Sequence, residues 1–353
     1  MTVQSDRLSG TTAGDLVDRG LLGSTVAVAS VRERLAVPGS GAPERTLMVR
    51  LMDGLEFEVL PSRGFDIGDT FRAGTPMSWF SPVQDARALP VPQGLDWLAR
   101  FNGGLVTTCG LDNIGEPAHG AGQHGSYSHL AAHSIHTRTG INDAGPFARL
   151  SATIDSVSLF GPSFRVERTI DAQEHAEGSV LTLTDAVTNV GPEPAPLSLM
   201  YHVNLGPPLV VPQSEVRVDA DAVLDSLPSA AVTDWRRMPE PASFVTQAVF
   251  EHVGPNVDAE GYARAVVTSP DARRSVELSW TAATLPRLYQ WVFPTRGRWA
   301  LALEPAGAPL FGDERQAPHA GAPMLDPGET RHHALRIAFG GEGARTARRE
   351  QEI

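Results

Sequence analysis

The sequence predicts an all-β protein, a large antiparallel β-sandwich with a few short helices. Three observations carry that prediction. Apolar and polar residues alternate with a period of two through at least six segments, the signature of strands that bury one face. Those segments mostly end near Gly, Pro, Asn or Asp, and the chain holds 34 Gly and 28 Pro, so turn residues punctuate it throughout. Helical period is confined to two stretches too short to reorganise a sheet, Asp15 to Leu22 and Leu95 to Phe101.

In chain order, the first helical candidate precedes the strands Thr46-Leu-Met-Val-Arg-Leu-Met and Leu55-Glu-Phe-Glu-Val-Leu. In the latter, Leu55, Phe57 and Val59 share one face and the glutamates the other. The second helical candidate follows, and then the strands Phe164-Arg-Val-Glu-Arg-Thr-Ile and Val180-Leu-Thr-Leu-Thr-Asp-Ala-Val-Thr. Arg274-Ser-Val-Glu-Leu-Ser-Trp and His333-Ala-Leu-Arg-Ile-Ala-Phe complete the set. Residues 1–340 read as one sandwich domain with a lead-in over residues 1–23, since large β-sandwiches exceed 200 residues as single units. Residues 341–353 form a polar tail.

Composition narrows the function classes. A formal net charge of -12 offers no electrostatic footprint for nucleic acid or an anionic membrane, which leaves a neutral small ligand as the better fit. All 29 basic residues are arginine, to which we attach no functional meaning. The single cysteine, Cys109, excludes an intrachain disulfide framework and reads as a small core residue. With no signal-peptide core at the start and no apolar run approaching the ~20 residues of a membrane span, the expected location is cytoplasmic. A homo-oligomer is compatible with the sequence.

Two strands carry chemistry. In Leu199-Met-Tyr-His-Val-Asn-Leu-Gly, alternation puts Ser198, Met200, His202 and Asn204 on one face and Leu199, Tyr201, Val203 and Leu205 on the other. A buried imidazole must be hydrogen-bonded, so the His202 face meets either a polar network or a cleft. In Arg298-Trp-Ala-Leu-Ala-Leu-Glu-Pro, Trp299, Leu301 and Leu303 oppose Ala300, Ala302 and Glu304. The alanines leave room beside Glu304, and Pro305, which cannot donate to a ladder, is expected to end the strand there.

The ordered set of motifs resembles the aldose 1-epimerases, or mutarotases. Val187-Thr-Asn-Val-Gly, leading into the His202 strand, is similar to the turn and strand that bear their catalytic histidine, and Leu301-Ala-Leu-Glu-Pro resembles the strand that ends in their catalytic glutamate. Leu60-Pro-Ser-Arg-Gly-Phe-Asp-Ile-Gly looks like their early sugar-contacting turn, and Gly122-Gln-His-Gly like the loop that binds ring hydroxyls. Phe101-Asn-Gly-Gly-Leu-Val-Thr-Thr-Cys-Gly-Leu-Asp-Asn-Ile-Gly looks like a hallmark of an uncharacterised bacterial branch.

The resemblance implies a galactose mutarotase-like supersandwich with a cleft over one concave sheet, an isomerase activity, a carbohydrate ligand and no cofactor. It further implies Glu304 as the base that takes the anomeric hydroxyl proton and His202 as the acid that protonates the ring oxygen. At its ordinary pKa Glu304 would be ionised near neutrality. Arg63 and His124 inherit substrate-binding roles from the matching motifs. Asp66 is expected to orient Arg63 or to bind sugar, Asn204 to bind substrate beside His202, and Gln290, next to Trp291, to contact a hydroxyl.

Unlike the better-known mutarotases, the early motif here reads Ser62-Arg63-Gly64, and cooperation between Arg63 and Asp66 requires a turn at Gly64-Phe65. The loop histidines His119, His124 and His129 raise a rival reading, a divalent-metal site in a metal-dependent sugar lyase or isomerase on the same fold. A third is a non-catalytic carbohydrate-binding protein. Trp79, Trp97, Tyr127, Tyr289 and Trp291 are the aromatic candidates for stacking on a sugar, and His332-His333 reads as structural or exposed.

Overall fold

Alternating strands of this number can bury their apolar faces only against one another, and they do so as two large antiparallel sheets packed face to face. The computed structural model describes residues 12–36, 44–52, 54–83, 87–118, 120–176 and 178–340. The tail over 341–353, the first part of the lead-in and His119 lie outside the described residues.

The larger sheet has eleven strands. It runs in spatial order through Ala29–Ala36, Glu44–Leu51, Leu55–Leu60, Asp66–Arg72, Val106–Leu111, Ser198–Leu205, Ala300–Ala306, Arg287–Phe293, Ala248–Pro255 and Ala220–Leu227, with Thr75–Pro76 paired to Asp66–Arg72. The eight-stranded sheet runs through Glu215–Val218, Tyr262–Thr268, Ser275–Thr281, Thr330–Gly340, Gly178–Asn189, Phe164–His175, Gly145–Ser156 and Ala132–Asn142. This is the large antiparallel β-sandwich that the sequence led us to expect.

Between the sheets, Leu199, Val203, Leu301 and Leu303 of the larger one meet Leu150, Ile170, Leu183 and Ile337 of the smaller. Each such side chain, fully buried, contributes about 1.5–3 kcal/mol. In the smaller sheet Phe164–His175 and Gly178–Asn189 alternate strictly between buried and partly exposed positions. By contrast Val106–Leu111, Ser198–Leu205 and Ala300–Ala306 are buried at every position. An antiparallel strand buried on both faces needs cover on both sides. The second cover is an apolar cluster on the outer face built from Trp79, Trp97, Phe101, Met200, Tyr289 and Ala300.

The expected helices are short. Ala13–Asp18 is an α-helix whose Thr12 and Asp15 form a capping box, and Asp96–Arg100 is a single stretch of 3-10 helix. Pro305 does not end its strand, which continues to Ala306. Pro305 lies opposite Leu288, and the ladder resumes where the Gly307 N–H donates to Leu199 O. A proline is tolerated there because the chain loses one donor without losing its extended course. Among the described residues no helix is long and apolar enough to cross a membrane.

One polar network interrupts the interior. The Arg168 guanidinium, fully buried, donates to Asp66 at 2.7 Å, to Asp185 at 2.8 and 2.7 Å, and to the Gly64 carbonyl at 3.0 Å. Tyr201 donates its hydroxyl to Asp185 at 2.7 Å, and Thr108 donates to Asp66 through both its hydroxyl and its backbone N–H. Burial raises Asp66 to about 6, against the pull of Arg168. Gly64 is required in the turn before Asp66, since its φ is +65° and a Cβ would meet the Tyr127 ring at 2.6 Å.

Candidate active site

His202 and Glu304 meet because of strand register. Val203 pairs with Leu303 and Met200 with Ala306, and the same register carries His202 opposite Glu304 on the outer face. Cross-strand neighbours on one face lie close enough for side chains to touch. His202 Nε2 stands 3.1 Å from Glu304 Oε1, with both side chains almost wholly buried. The row continues on either side, with Thr107 opposite His202, Tyr289 opposite Glu304, and Glu251 opposite Tyr289. Asn204, Ala302, Trp291 and Val249 form the next row. The spacing of side chains along the two strands therefore puts the histidine, the glutamate and Asn204 in one patch.

Asn204 Oδ1 lies 2.5 Å from His202 Nδ1. Aromatic rings enclose the remaining sides of the imidazole, with the centroids of Phe101 at 5.1 Å, Trp291 at 5.6 Å and Trp97 at 6.1 Å. His124 is the fourth ring, 5.9 Å away and nearly perpendicular. Its own Nδ1 donates to the Ile114 carbonyl at 2.7 Å, which turns the other nitrogen of the neutral ring into an acceptor. His124 adopts a φ of +56° between Gln123 and Gly125, a conformation uncommon in non-glycine residues and concentrated at functional sites.

Burial sets the electrostatics. Removal from water raises Glu304 to about 8. It lowers His202 to about 3, helped by the neighbouring His124, while the bond to Asn204 pulls the other way. His124 is lowered to about 4 for the same first reason. Glu304, expected to be ionised near neutrality, is thus held protonated, because a charge there has neither water nor a cation to stabilise it. Near neutrality the pair therefore holds one titrating proton, on the carboxyl of Glu304.

Above the pair opens a cavity of about 780 Å³, whose walls include Trp79, Phe101, Trp291, Phe293, Leu98 and Val245. Its volume is within the ~300–1,000 Å³ of small-molecule sites, and its walls are largely aromatic and apolar. Phe101 and Trp291 both line this cavity and contact His202, so the pair lies directly behind them and a ligand in the cavity reaches it only when those rings turn aside. A smaller groove of about 380 Å³ on the other sheet is lined by Arg149 and Asp171, which pair with each other.

Of the residues singled out in the sequence, the fold brings His202, Glu304, Asn204 and His124 together. The other three do not join them. Arg63 is buried in its turn, where it donates to the carbonyls of Arg87 and Arg100 and to His129 Nδ1, so it braces the wall segment beneath the cavity. Asp66 points to the opposite face of the sheet, into the Arg168 network, because the turn at Gly64-Phe65 rotates it away from Arg63. Gln290 also faces inward, since the neighbouring Tyr289 and Trp291 take the outer face. Its amide accepts from His252 and donates to the Trp235 carbonyl.

The loop histidines are likewise separated in role. His129 Nδ1 accepts from both Arg63 and the Leu89 N–H, while His124 faces His202. No group of three histidine, cysteine or acidic side chains placed to hold a metal occurs among the described residues. Trp97 and Tyr127 are buried packing residues, the former donating to Ser128. Thr107, Glu251 and Phe101 joined the site without having been singled out, since their places depend on register and on a loop fold.

A sequence family described as a domain of unknown function, DUF4432, matches residues 41–339. No curated protein matches the chain. Among solved structures, a Klebsiella pneumoniae protein provisionally named an aldose 1-epimerase has a TM-score of 0.81 at 19% identity, covering 92% of this chain and 87% of its own. A galactose mutarotase-like protein from Clostridium acetobutylicum has a TM-score of 0.55 at 15% identity, covering 89% and 99%. A galactose 1-epimerase from Lactobacillus acidophilus has a TM-score of 0.53 at 12% identity, covering 88% and 99%. At these identities the likeness is one of fold.

Proposed function

Because the chain belongs to the DUF4432 family and has a galactose mutarotase-like fold, we propose that it is an aldose 1-epimerase-like isomerase that interconverts the anomers of a sugar. The observation that carries this reading is the 3.1 Å contact between His202 Nε2 and Glu304 Oε1 beneath an aromatic-walled cavity. Opening a hemiacetal needs one proton delivered to the ring oxygen and one removed from the anomeric hydroxyl. A pair that shares a single proton can do both.

With Glu304 protonated and His202 neutral, the carboxyl gives its proton to the ring oxygen while Nε2 takes the hydroxyl proton. The bond between the anomeric carbon and the ring oxygen breaks and the carbonyl forms. Rotation about the first carbon-carbon bond and the reverse transfers close the ring as the other anomer and restore the pair. The protons balance without a cofactor, and the two charges that form, the Glu304 carboxylate and the His202 imidazolium, lie against each other at the 3.1 Å contact. The aromatic walls supply stacking surfaces, and His124 Nε2 an acceptor for a ring hydroxyl.

The test is anomer exchange followed by NMR saturation transfer over free, acidic and phosphorylated sugars, with and without chelator. Exchange that persists in chelator and is abolished by His202→Ala and by Glu304→Gln is the expected result. No exchange with any sugar would refute the reading and favour a binding protein. Exchange abolished by chelator would replace it with a metal-dependent one.

A further inference from the structure

We infer that Asn204 is a positioning residue, which fixes His202 in the tautomer protonated at Nδ1 so that Nε2 faces Glu304 as a proton acceptor. This rests on the reading of His202 and Glu304 as the acid-base pair, and it replaces the substrate contact expected of Asn204 from the sequence.

The argument begins with spacing. Residues two apart on a strand share a face, so a His-x-Asn sequence lets the amide reach the imidazole of its own strand. Asn204 is itself fixed, because its backbone N–H donates to the Leu105 carbonyl at 2.8 Å and it pairs across the ladder with Ala302, whose methyl leaves the amide room. Its side chain has no exposure to solvent.

At 2.5 Å, the His202 Nδ1 and Asn204 Oδ1 contact is a short hydrogen bond. An amide oxygen only accepts, so Nδ1 must carry the hydrogen. A neutral imidazole has one N–H, which leaves a lone pair on Nε2. That lone pair faces Glu304 Oε1 at 3.1 Å, and a protonated carboxyl completes the contact. The donors then run in one direction, from Glu304 to His202 to Asn204. Rotating the amide by half a turn would reverse the Asn204 bond, leave Nδ1 bare and make Nε2–H a donor to the carboxyl, so the orientation of this one amide sets which nitrogen accepts from Glu304.

The observed orientation leaves Asn204 Nδ2 as a buried donor without a partner.

The test reads the tautomer directly. Long-range proton-nitrogen NMR correlation on protein with labelled histidine, the His202 signals assigned by their loss in His202→Gln, is expected to show protonated Nδ1 and bare Nε2 at pH 7. In Asn204→Ala an Nε2–H population appears and kcat falls roughly 10- to 100-fold with KM within about twofold, the pattern of lost orientation. Asn204→Asp keeps an acceptor and is expected to keep the Nδ1–H form. A wild-type Nε2–H tautomer overturns the inference, and that spectrum needs no variant to fold. A raised KM with unchanged kcat in Asn204→Ala also overturns it, making Asn204 a substrate contact. Absence of anomer exchange in a wild type that shows the expected tautomer refutes the isomerase reading and leaves the tautomer assignment standing.

Discussion

Replacing Glu304 by glutamine should remove activity and yet stabilise the protein, by an amount that grows with pH. The carboxyl titrates at about 8 in the folded chain, against an ordinary 4.5, because burial disfavours its charge. Below pH 4.5 folded and unfolded chains both hold the proton, and the side chain carries no penalty. As pH rises above 4.5 the unfolded chain releases that proton while the folded chain retains it, so stability falls by about 1.4 kcal/mol per pH unit until about pH 8. At pH 7 the accumulated loss is about 3 kcal/mol. Glutamine is neutral at every pH, and its amide can donate to His202 Nε2 much as the protonated acid does.

His202 responds with the opposite sign. It is lowered from 6.5 to about 3, so its contribution is fully present above 6.5 and is lost as pH falls toward 3. It is present in both proteins and largely cancels in their difference. Urea unfolding of wild type and Glu304→Gln at pH 4.5, 6, 7 and 8.5 should therefore give curves that diverge steadily in favour of the variant and run parallel above about pH 8. A stability difference independent of pH would refute the reasoning, since it would mean that Glu304 titrates normally in the folded state.

Two further outcomes follow from the placement of other side chains. Trp291→Ala removes a ring that both lines the cavity and covers His202, and it should raise KM about tenfold, equivalent to about 1.4 kcal/mol of lost contact; an unchanged KM in exchange kinetics would remove Trp291 from the binding wall. Asp66→Asn leaves the buried Arg168 with one anionic partner in place of two, so urea unfolding should show a loss of about 3 kcal/mol while KM stays the same. A raised KM at unchanged stability would return Asp66 to the sugar.

The alternation of single strands was enough to foresee much of this site. The period of two grouped His202 with Asn204 on one face of their strand and set Glu304 opposite the apolar face of its own, because the pleat fixes side-chain direction from local sequence alone. Asp66 and Gln290 show where that logic stops. Asp66 follows a turn with two consecutive positive φ values, which resets which face its strand presents. Gln290 alternates with two aromatics, and nothing within its own strand says which set faces the interior. Thr107 and Glu251 entered through register, a property of pairs of strands far apart in the chain. The raised titration of Glu304 was hidden for a related reason, since the cover over its strand includes Trp79, Trp97 and Phe101, far away in the chain. Pro305 was read as a stop because a missing donor usually ends a ladder; here the strand passes through it.

The division of labour between sheet and loops has a consequence for how such a molecule can diversify. The floor of the site is tied to parity, since a one-residue insertion within Ser198–Leu205 would turn His202 toward Arg168 and bring Tyr201 to the cavity side. The walls obey no such rule. Trp79, Leu98, Phe101 and Val245 stand on or beside connecting segments, where lengthening or shortening the chain leaves the pleat untouched. Preference for one ligand over another can thus drift through the walls by changes of any length, while the floor admits only substitution in place.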